Sequence, residues 1–415
     1  MPKVLLHNHT FRFRDRSPDG FYHDQKAVFS TVPGDIVVTR KKIDGVLLAF
    51  LENVGFDFRG VEFIHSDKLL EEFDSIFADE KIIKEVGRVV GGKEYMLDVY
   101  VPTFYEKEFS QKLGMPLEGN PDHYFRWGTK SGFRKLAKKL LIPIPRGAED
   151  LASPKELHGA LKWLFGEGAE AVIIKIDEGL LGRGMLRFDK RYFLSPLFNP
   201  DKCFQDVFLR GPIALKSHAL VVEEWIENTA LSPSVQIFID HTGGVRVSSF
   251  HSQLLGPKGV GYRGVLSGEA IPEKFRKELA VHGGKIASFL SSQGFRGWLG
   301  LDAVVTQGGQ IVFTELNARK VSALYPYWIA EKLFGRAERV FYQATHYKSS
   351  RLVETDAKYF FDLIKSLLCS PVSQRGVVPF NLGRLSGEGF FEAVIFGNSF
   401  EEIDDLRKKV VAYIN

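Results

Sequence analysis

Residues 299–319 read LGLDAVVTQGGQIVFTELNAR, two β-rich runs on either side of a Gly308-Gly309 pair. Adjacent glycines between β-branched and aromatic residues favour a tight two-residue hairpin turn. With those glycines as the turn, Gln307 opposes Gln310 and Asp302 lies across from Glu315. The strand period of two then places Asn317 on the same face. Two opposed carboxylates repel unless a cation lies between them. Oxygen donors from Asp, Glu and Asn suit a hard divalent ion such as Mg²⁺. The competing reading is a solvated polar hairpin face, but this register also brings Val304 and Phe313 onto that face, so it is not simply wet.

A chain of 415 residues exceeds one small core and predicts two or three domains. Its apolar and charged fractions, 44% and 26%, are those of an ordinary globular enzyme. A net charge of +4 over this length suits an anionic substrate and makes no case for nucleic acid or an anionic membrane. Two cysteines far apart, Cys203 and Cys369, exclude a disulfide framework and a cysteine zinc site and predict a reducing compartment. The N-terminus lacks a signal-peptide apolar run, and no window has the length of a membrane helix, so a cytoplasmic protein is expected.

Along the chain, residues 3–7, 35–39 and 61–64 read as strands and 66–77 as a helix, which predicts a small α/β domain. Residues 44–53 fit a strand or a short helix. The Pro- and Gly-rich residues 114–127 suggest a boundary. A basic helix over 130–141 is stopped by Pro143 and Pro145. Ser153 and Pro154 mark the start of another, which runs to about residue 165. Strands follow at 171–176, 219–222, 235–240 and 245–251, then a helix over 275–293. The tail from 359 holds a helix, an apolar run at 377–382, a strand at 391–396 and a final helix.

Three further stretches carry chemistry. In AVIIKIDEGLLGRG (171–184), Lys175 interrupts an apolar strand. A buried ammonium is costly unless paired, so it is expected to face an anion across a cleft. Gly179, Gly182 and Gly184 let backbone N–H groups approach phosphate, and Arg183 adds a cation. An edge-strand lysine followed by an ordinary turn is the alternative. In ALVVEEWIE (219–227), a strand ends in two acids and a tryptophan, which suits either an adenine-reading edge or a solvated acidic loop. Residues 250–264, FHSQLLGPKGVGYRG, form a glycine-rich loop with Lys258 and Arg263 around Tyr262, either a lid or an ordinary surface loop.

The order of these signals resembles the ATP-grasp superfamily, and the likeness covers roughly residues 126–345. Within it the whole chain is most similar to peptide ligases of natural-product pathways. The resemblance implies an α/β (α+β) protein with two α+β lobes clamping ATP, divided near residues 222–223. A pre-ATP-grasp α/β domain over 1–125 precedes them and a C-terminal α+β domain over 346–415 follows. It implies an ATP-dependent carboxylate–amine ligase that works through an acyl phosphate, on an amino acid or small peptide, with ADP and phosphate released. Other acceptors it allows are a carrier-protein thiol or an aminated small molecule, and an oligomer is compatible with it.

Carried over residue by residue, Lys130 and Lys175 hold ATP phosphates and the loop from Glu178 through Gly179, Gly182, Arg183 and Gly184 folds over them. Glu223 accepts from the adenine amino group, with Glu224 and Ile226 at the hinge and Ser232 near the ribose. Asp302, Glu315 and Asn317 hold two Mg²⁺ ions, with Mn²⁺ as a substitute. Arg319 faces the transferred phosphate, and Lys258 and Arg263 close over the intermediate. Gly300 departs from the pattern, because many relatives have an arginine there. A rival class starts from His7 and His9, whose His-x-His spacing after a first strand fits a metal-dependent hydrolase. A third reading is an ATP-grasp-like protein that binds nucleotide without turning it over.

Overall fold

The computed structural model describes residues 1–8, 23–65, 80–178, 184–209, 219–256, 259, 261–370 and 372–415. The first sheet is built from β1 (Lys3–Leu6), β2 (Ile36–Thr39), β3 (Glu62–His65) and β4 (Met96–Val99), all parallel in the order β3-β2-β1-β4. β1, β2 and β4 are short, mostly apolar and mostly buried, as covered parallel strands must be, whereas the edge strand β3 leaves Glu62 and Phe63 exposed. A second sheet comprises β5 (Gly147–Leu151), β6 (Ala171–Ile176), β7 (Met185–Asp189) and β8 (Leu220–Glu224), antiparallel in the order β5-β8-β6-β7.

The third sheet is the largest. It contains β9 (Pro233–Ile239), β10 (Val245–Leu255), β11 (Tyr262–Ser267), β12 (Gly297–Val305), β13 (Ile311–Asn317), β14 (Phe341–Lys348), β15 (Gly376–Asn381) and β16 (Phe390–Gly397). Their order is β13-β12-β9-β10-β11-β14-β16-β15. The two tail strands thus continue the central sheet through the β14–β16 pair, in register from Phe341↔Gly397 to Lys348↔Phe390. A single apolar cluster runs from Leu5 and Val37 through Tyr325 and Ile329 to Val394 and Ile414, so the two ends of the chain share a core.

Local chemistry explains the element starts. Thr129 caps the helix Lys130–Leu140 through the Gly132 N–H, and Leu141, in the left-handed region at φ 53°, ends it ahead of Pro143. Ser153 caps Pro154–Gly166 by accepting from Glu156 N–H. Residues 45–53 are a helix, capped by Asp44, which resolves the open expectation there. Within the stretch expected as a boundary, Pro121–Trp127 is helical under an Asn120 cap. The expected helix over 66–77 lies outside the described residues. Among the described residues no helix is long and apolar enough to cross a membrane, and both cysteines are free and buried.

The first sheet is fastened to the third by buried charge. Asp98 Oδ1 accepts from His7 Nε2 at 2.8 Å and faces Lys320 Nζ at 2.8 Å, while its Oδ2 accepts from Lys3 Nζ at 2.6 Å. Glu118 accepts from the same two lysines. Burial pushes the Asp98 carboxyl up, but the charges of Lys3 and Lys320 and the His7 contact overcome it and hold it well below the usual carboxylate range. Asp98→Asn leaves two inward-facing ammonium groups with a single carboxylate, so it should lower the unfolding free energy by about 3–5 kcal/mol. A shift of that size in the urea midpoint checks this, and a near-neutral variant would mean the lysines find water instead.

Candidate functional site

The second and third sheets face each other across an open cleft with an empty volume of about 1410 Å³. Its walls are Lys175 on β6, Glu223 and Glu224 at the end of β8, Trp225 and Ile226 beyond it, and Asp302, Thr314, Glu315, Asn317 and Arg319 from the β12–β13 hairpin and its exit. Tyr100 from the first sheet and Tyr262 at the start of β11 complete it, and Ser232 and Ser234 line it at β9.

The hairpin pairs Asp302 with Glu315 and Gly300 with Asn317. It does so by a route that differs from the expected turn. Thr306, not Gln307, closes the loop onto Gln310 (Thr306 N to Gln310 O, 2.9 Å), and Gly309 takes the left-handed conformation at φ 77°. That three-residue loop puts the adjoining pairs one residue out of the expected register, as in Val304↔Val312. Thr314 is then an extra residue on β13, a bulge between the Ala303↔Phe313 and Asp302↔Glu315 pairs that restores the register. The bulge also corrects the face. Phe313 turns into the core, while Thr314 and Glu315 both line the cleft.

Asp302 accepts from Asn317 Nδ2 at 3.2 Å, and Asn317 Oδ1 accepts from Arg319 Nη2 at 2.7 Å. Dehydration first, and the charge of Glu315 second, push the Asp302 carboxyl up to about 6, against the pull of Ser234, Arg319 and Asn317. Ser234 is itself aimed. Gln236 Nε2 donates to its oxygen at 2.7 Å, so its hydroxyl hydrogen is free to point at Asp302. Gln236 Oε1 in turn accepts from His251 Nδ1 at 2.6 Å, and His251 Nε2 accepts from the Tyr342 hydroxyl at 2.7 Å. Burial holds that imidazole neutral, with its pKa down to about 3.

Lys130, at the start of its helix, is buried and reaches Glu315 Oε1 at 3.4 Å. Lys175 is also buried, as the apolar strand around it implied, and its ammonium donates to Glu223 Oε2 at 2.5 Å. Glu223 Oε1 accepts from Arg134 Nη1 at 2.6 Å. Burial pushes the Glu223 carboxyl up, but Lys175 and Arg134 more than offset it and hold it below the ordinary value. Both Glu223 oxygens are therefore engaged by cations, a role not foreseen for this carboxylate, which also lines the cleft. Glu224 is bound in a fork by Arg146 (2.7 Å to each oxygen) and lines the cleft beside Ile226.

Other expected residues fall differently. Gly179, Gly182, Arg183 and Lys258 lie outside the described residues. Glu178 is buried just past β6 and does not line the cleft. Gly184 anchors the return of the loop, at φ 69° with its carbonyl on Ile176 N–H at 2.8 Å; a Cβ there would meet Ile176 Cδ1 at 2.5 Å. The expected lid over 250–264 is shorter than foreseen, because β10 runs on to Leu255 and β11 starts at Tyr262. Gly259 at its tip packs within reach of Trp225, where a Cβ would lie 3.5 Å from the indole. Since Tyr262 faces the cleft, strand alternation turns Arg263 outward, where it is exposed.

Gly300 leaves room for Val321, since a Cβ would come within 2.7 Å of Val321 Cγ1. His7 has no lone pair for a metal. Asp98 is ionised and only accepts, so His7 Nε2 donates to it, and Nδ1 accepts from the Tyr325 hydroxyl at 3.0 Å. His9 lies outside the described residues. Among the described residues no three His, Cys, Asp or Glu side chains cluster as a metal cage, so the hairpin's two acids and one amide are an open donor set. Arg134, Tyr100 and Gln236 were missed from the sequence. The one signal for Arg134 is that it follows Lys130 by four residues and so shares its helix face.

No family model matches the chain. It is 26% identical over 366 residues to an L-propargylglycine–L-glutamate ligase of Streptantibioticus cattleyicolor, spanning 82% of this chain and 74% of that protein. Among solved structures it superposes on biotin carboxylase from Campylobacter jejuni in complex with β-γ-ATP (TM-score 0.63, 13% identity, 92% of this chain and 86% of that one). It also superposes on the biotin carboxylase domain of 2-oxoglutarate carboxylase from Hydrogenobacter thermophilus with MgADP, ADP and bicarbonate (TM-score 0.61, 11% identity, 91% and 84%). The fold is the ATP-grasp fold, with a parallel-sheet unit in front.

Two outcomes are expected. A folded-state pKa of about 6 for Asp302 against an unfolded value near 3.9 means its ionisation opposes folding, by on the order of 3 kcal/mol once the pH has risen through 6. Asp302→Asn should thus stabilise the ligand-free protein at pH 7.5 but not at pH 4, read as the difference between the two melting profiles; parallel profiles would refute the dehydrated pair. Glu223→Ala strands Lys175 and Arg134 and should destabilise by about 3–5 kcal/mol in chemical denaturation. Weakened nucleotide binding with unaltered stability would instead assign that carboxylate to the base.

Proposed function

We propose that the protein is an ATP-dependent ligase that joins a carboxylate to an amine through an acyl phosphate, with amino acids as substrates. The observation that carries this reading is the Asp302–Glu315 pair, two carboxylates opposed across a hairpin, with Asp302 raised to about 6 by burial first and by the charge of Glu315 second. The donor set fits Mg²⁺, which prefers carboxylate and amide oxygens and keeps positions open for phosphate. Asp302, Glu315 and Asn317 would hold it, as two ions or as Mn²⁺ in its place, and when bound it would neutralise charge on the triphosphate.

The remaining work falls to the chain's own side chains. Lys175, at the cleft wall, and Lys130, behind Glu315, come from the first lobe and balance phosphate charge. Glu223 holds Lys175 in place and draws Arg134 to the same corner. Glu224, Trp225 and Ile226 flank the base, and Ser232 serves the sugar. Arg319, braced by Asn317 and by Tyr100 at 3.4 Å, faces the phosphoryl group in flight. The substrate carboxylate attacks the γ-phosphorus and ADP leaves. The amine then forms the C–N bond, the C–O bond to phosphate breaks with its electron pair on phosphate, and the nitrogen gives up a proton. The hairpin tip at Gly259, seated against Trp225, keeps water from the acyl phosphate.

The curated relative's name supplies the substrate class, propargylglycine and glutamate, carried here as amino acids in general. The divisions expected at 125/126, 222/223 and 345/346 each cut an element, the helix Pro121–Trp127, β8 and β14, so we place the junctions just past each of these. Mass spectrometry after incubation with Mg-ATP and the pooled proteinogenic amino acids should show ADP together with a dipeptide-type product that has lost one water. Both should vanish with EDTA and fall by roughly 10³-fold or more in Glu315→Gln, if charge neutralisation carries the rate. Zinc-dependent hydrolysis without ATP, or nucleotide-induced thermal stabilisation without ADP under every condition, would overturn the ligase reading.

A further inference from the structure

Four buried polar side chains lie end to end in the third sheet, behind the carboxylate pair. Ser234 and Gln236 are on β9, His251 is on β10 and Tyr342 on β14. Gln236 and His251 are fully buried, and Ser234 and Tyr342 nearly so. Of the four, Ser234 alone lines the cleft. It pairs with Asp302 across the β9–β12 ladder, while Gln236 pairs with Gly300, which has no side chain to offer it. On the other flank, the β9–β10 ladder sets Ser249 against Gln236 and His251 against Ser234. Taking each of these polar groups out of water has a cost that an apolar core would not incur. No step proposed above uses them.

Donor and acceptor chemistry gives this chain a direction. A carboxylate that holds a cation only accepts hydrogen bonds. Ser234, which hydrogen-bonds Asp302, must therefore spend its single hydrogen there. Its oxygen is left to accept, and Gln236 Nε2 donates to it at 2.7 Å. The amide oxygen then faces the other way, where it accepts from Ser249 Oγ at 2.9 Å and from His251 Nδ1 at 2.6 Å. With its hydrogen on Nδ1, His251 takes the Tyr342 hydrogen on Nε2, at 2.7 Å. A reversed amide would also satisfy the interior of the chain, with the other histidine tautomer. It would draw the Ser234 hydrogen to Gln236, however, and turn bare lone pairs on Asp302. One polarity alone supplies Asp302 with a donor.

We infer that Ser234 and Gln236 are positioning residues for cation binding: Gln236 holds the Ser234 hydroxyl so that its hydrogen locks the Asp302 carboxylate. This rests on the ligase reading above and deepens it by naming side chains that tune the same site without touching nucleotide. Asp302 also accepts from Asn317 Nδ2 at 3.2 Å. Two donors thus occupy two of its roughly four lone-pair positions and stop the group from turning. The remaining positions face a cation shared with Glu315. Partners behind a ligand carboxylate set its orientation and affinity in this way, so their loss is felt at the metal although they never contact it. The buried network brings rigidity that a mobile water in place of Ser234 would not.

Mn²⁺ is the probe, titrated into the full chain saturated with ADP. The free ion is read by electron paramagnetic resonance, and a titration of ADP alone is subtracted. Melting midpoints of the ligand-free proteins are measured beside it. Ser234→Ala removes the hydroxyl, and Gln236→Met keeps the length of the side chain but donates nothing. Each should raise the Kd for Mn²⁺ roughly 10- to 100-fold. Both variants also strand a buried donor and lower the melting midpoint, so affinity and not stability is the deciding readout. Ser234→Thr keeps the hydroxyl on a strand-compatible residue and should bind Mn²⁺ nearly as the native protein does. It carries the test with Ser234→Ala if Gln236→Met fails to fold. An unchanged Mn²⁺ Kd in Ser234→Ala, whatever its melting midpoint, overturns the positioning role and leaves the ligase reading intact. A loss in Ser234→Thr equal to that in Ser234→Ala overturns it as well. A native protein that takes up no Mn²⁺ with ADP present would instead sink the ligase reading, and this role with it.

Discussion

Two carboxylates are held against each other at the base of the cleft, and the architecture around them exists to keep them there. Left to itself the Asp302–Glu315 pair would move apart or take up a proton. The hairpin backbone forbids the first, because the two residues are opposed in the ladder, with Leu301↔Leu316 and then Gly300↔Asn317 fixed beyond them. The second is partly realised, in a carboxyl raised to about 6. Burial and the neighbouring charge together make the ionised pair costly, so a cation that binds both oxygens offsets part of that cost. The chain from Tyr342 through His251 and Gln236 to Ser234 belongs to the same arrangement. It runs through buried sheet and ends in one hydroxyl aimed at Asp302.

A second constraint acts from the opposite lobe. Lys175 can stand in an apolar strand because Glu223 faces it on the neighbouring strand, in a register that pairs Ile173 with Glu223 and Lys175 with Val221. One carboxylate restrains two cations from different elements, so the positive corner of the cleft is preformed and dry. Positive and negative corners thus confront each other across the space where a polyanion and its metal would lie. Lys130 reaches from one corner to the other, at 3.4 Å from Glu315.

Local signals made much of this legible in the sequence. Lys175 announced itself as a charge within an apolar run, and Asp302, Glu315 and Asn317 as oxygens spaced for one strand face. The opposition of Asp302 and Glu315 was expected from a two-residue turn that does not form. The three-residue loop and the Thr314 bulge offset one another, and neither is visible in a single sequence, because both depend on where Phe313 finds its core. Side chains that act across long sequence separations were hidden. Arg134 meets Glu223 from 89 residues away, and Lys320 reaches Glu118 from 202. Such pairings follow from the packing of lobes, which periodicity does not encode. Glu223 was read as a hydrogen-bond acceptor for a base because its sequence neighbours show a strand end and not the two cations behind it.

The shared sheet has a bearing on how such proteins diversify. With β16 zipped onto β14 and β15 onto β16, the chain's tail is not an appendage that recombination could trade at a flexible joint. A crossover placed ahead of β15 would leave β14 with a bare ladder edge, open to pairing with other molecules. Viable hybrids between relatives should therefore exchange the tail together with its β14 partner, or alter it by point changes on the surface it presents to the N-terminal unit. The evolutionary freedom of the molecule lies in side chains such as Lys26, Phe380 and Glu392, where two distant parts of the chain meet and neither needs to move.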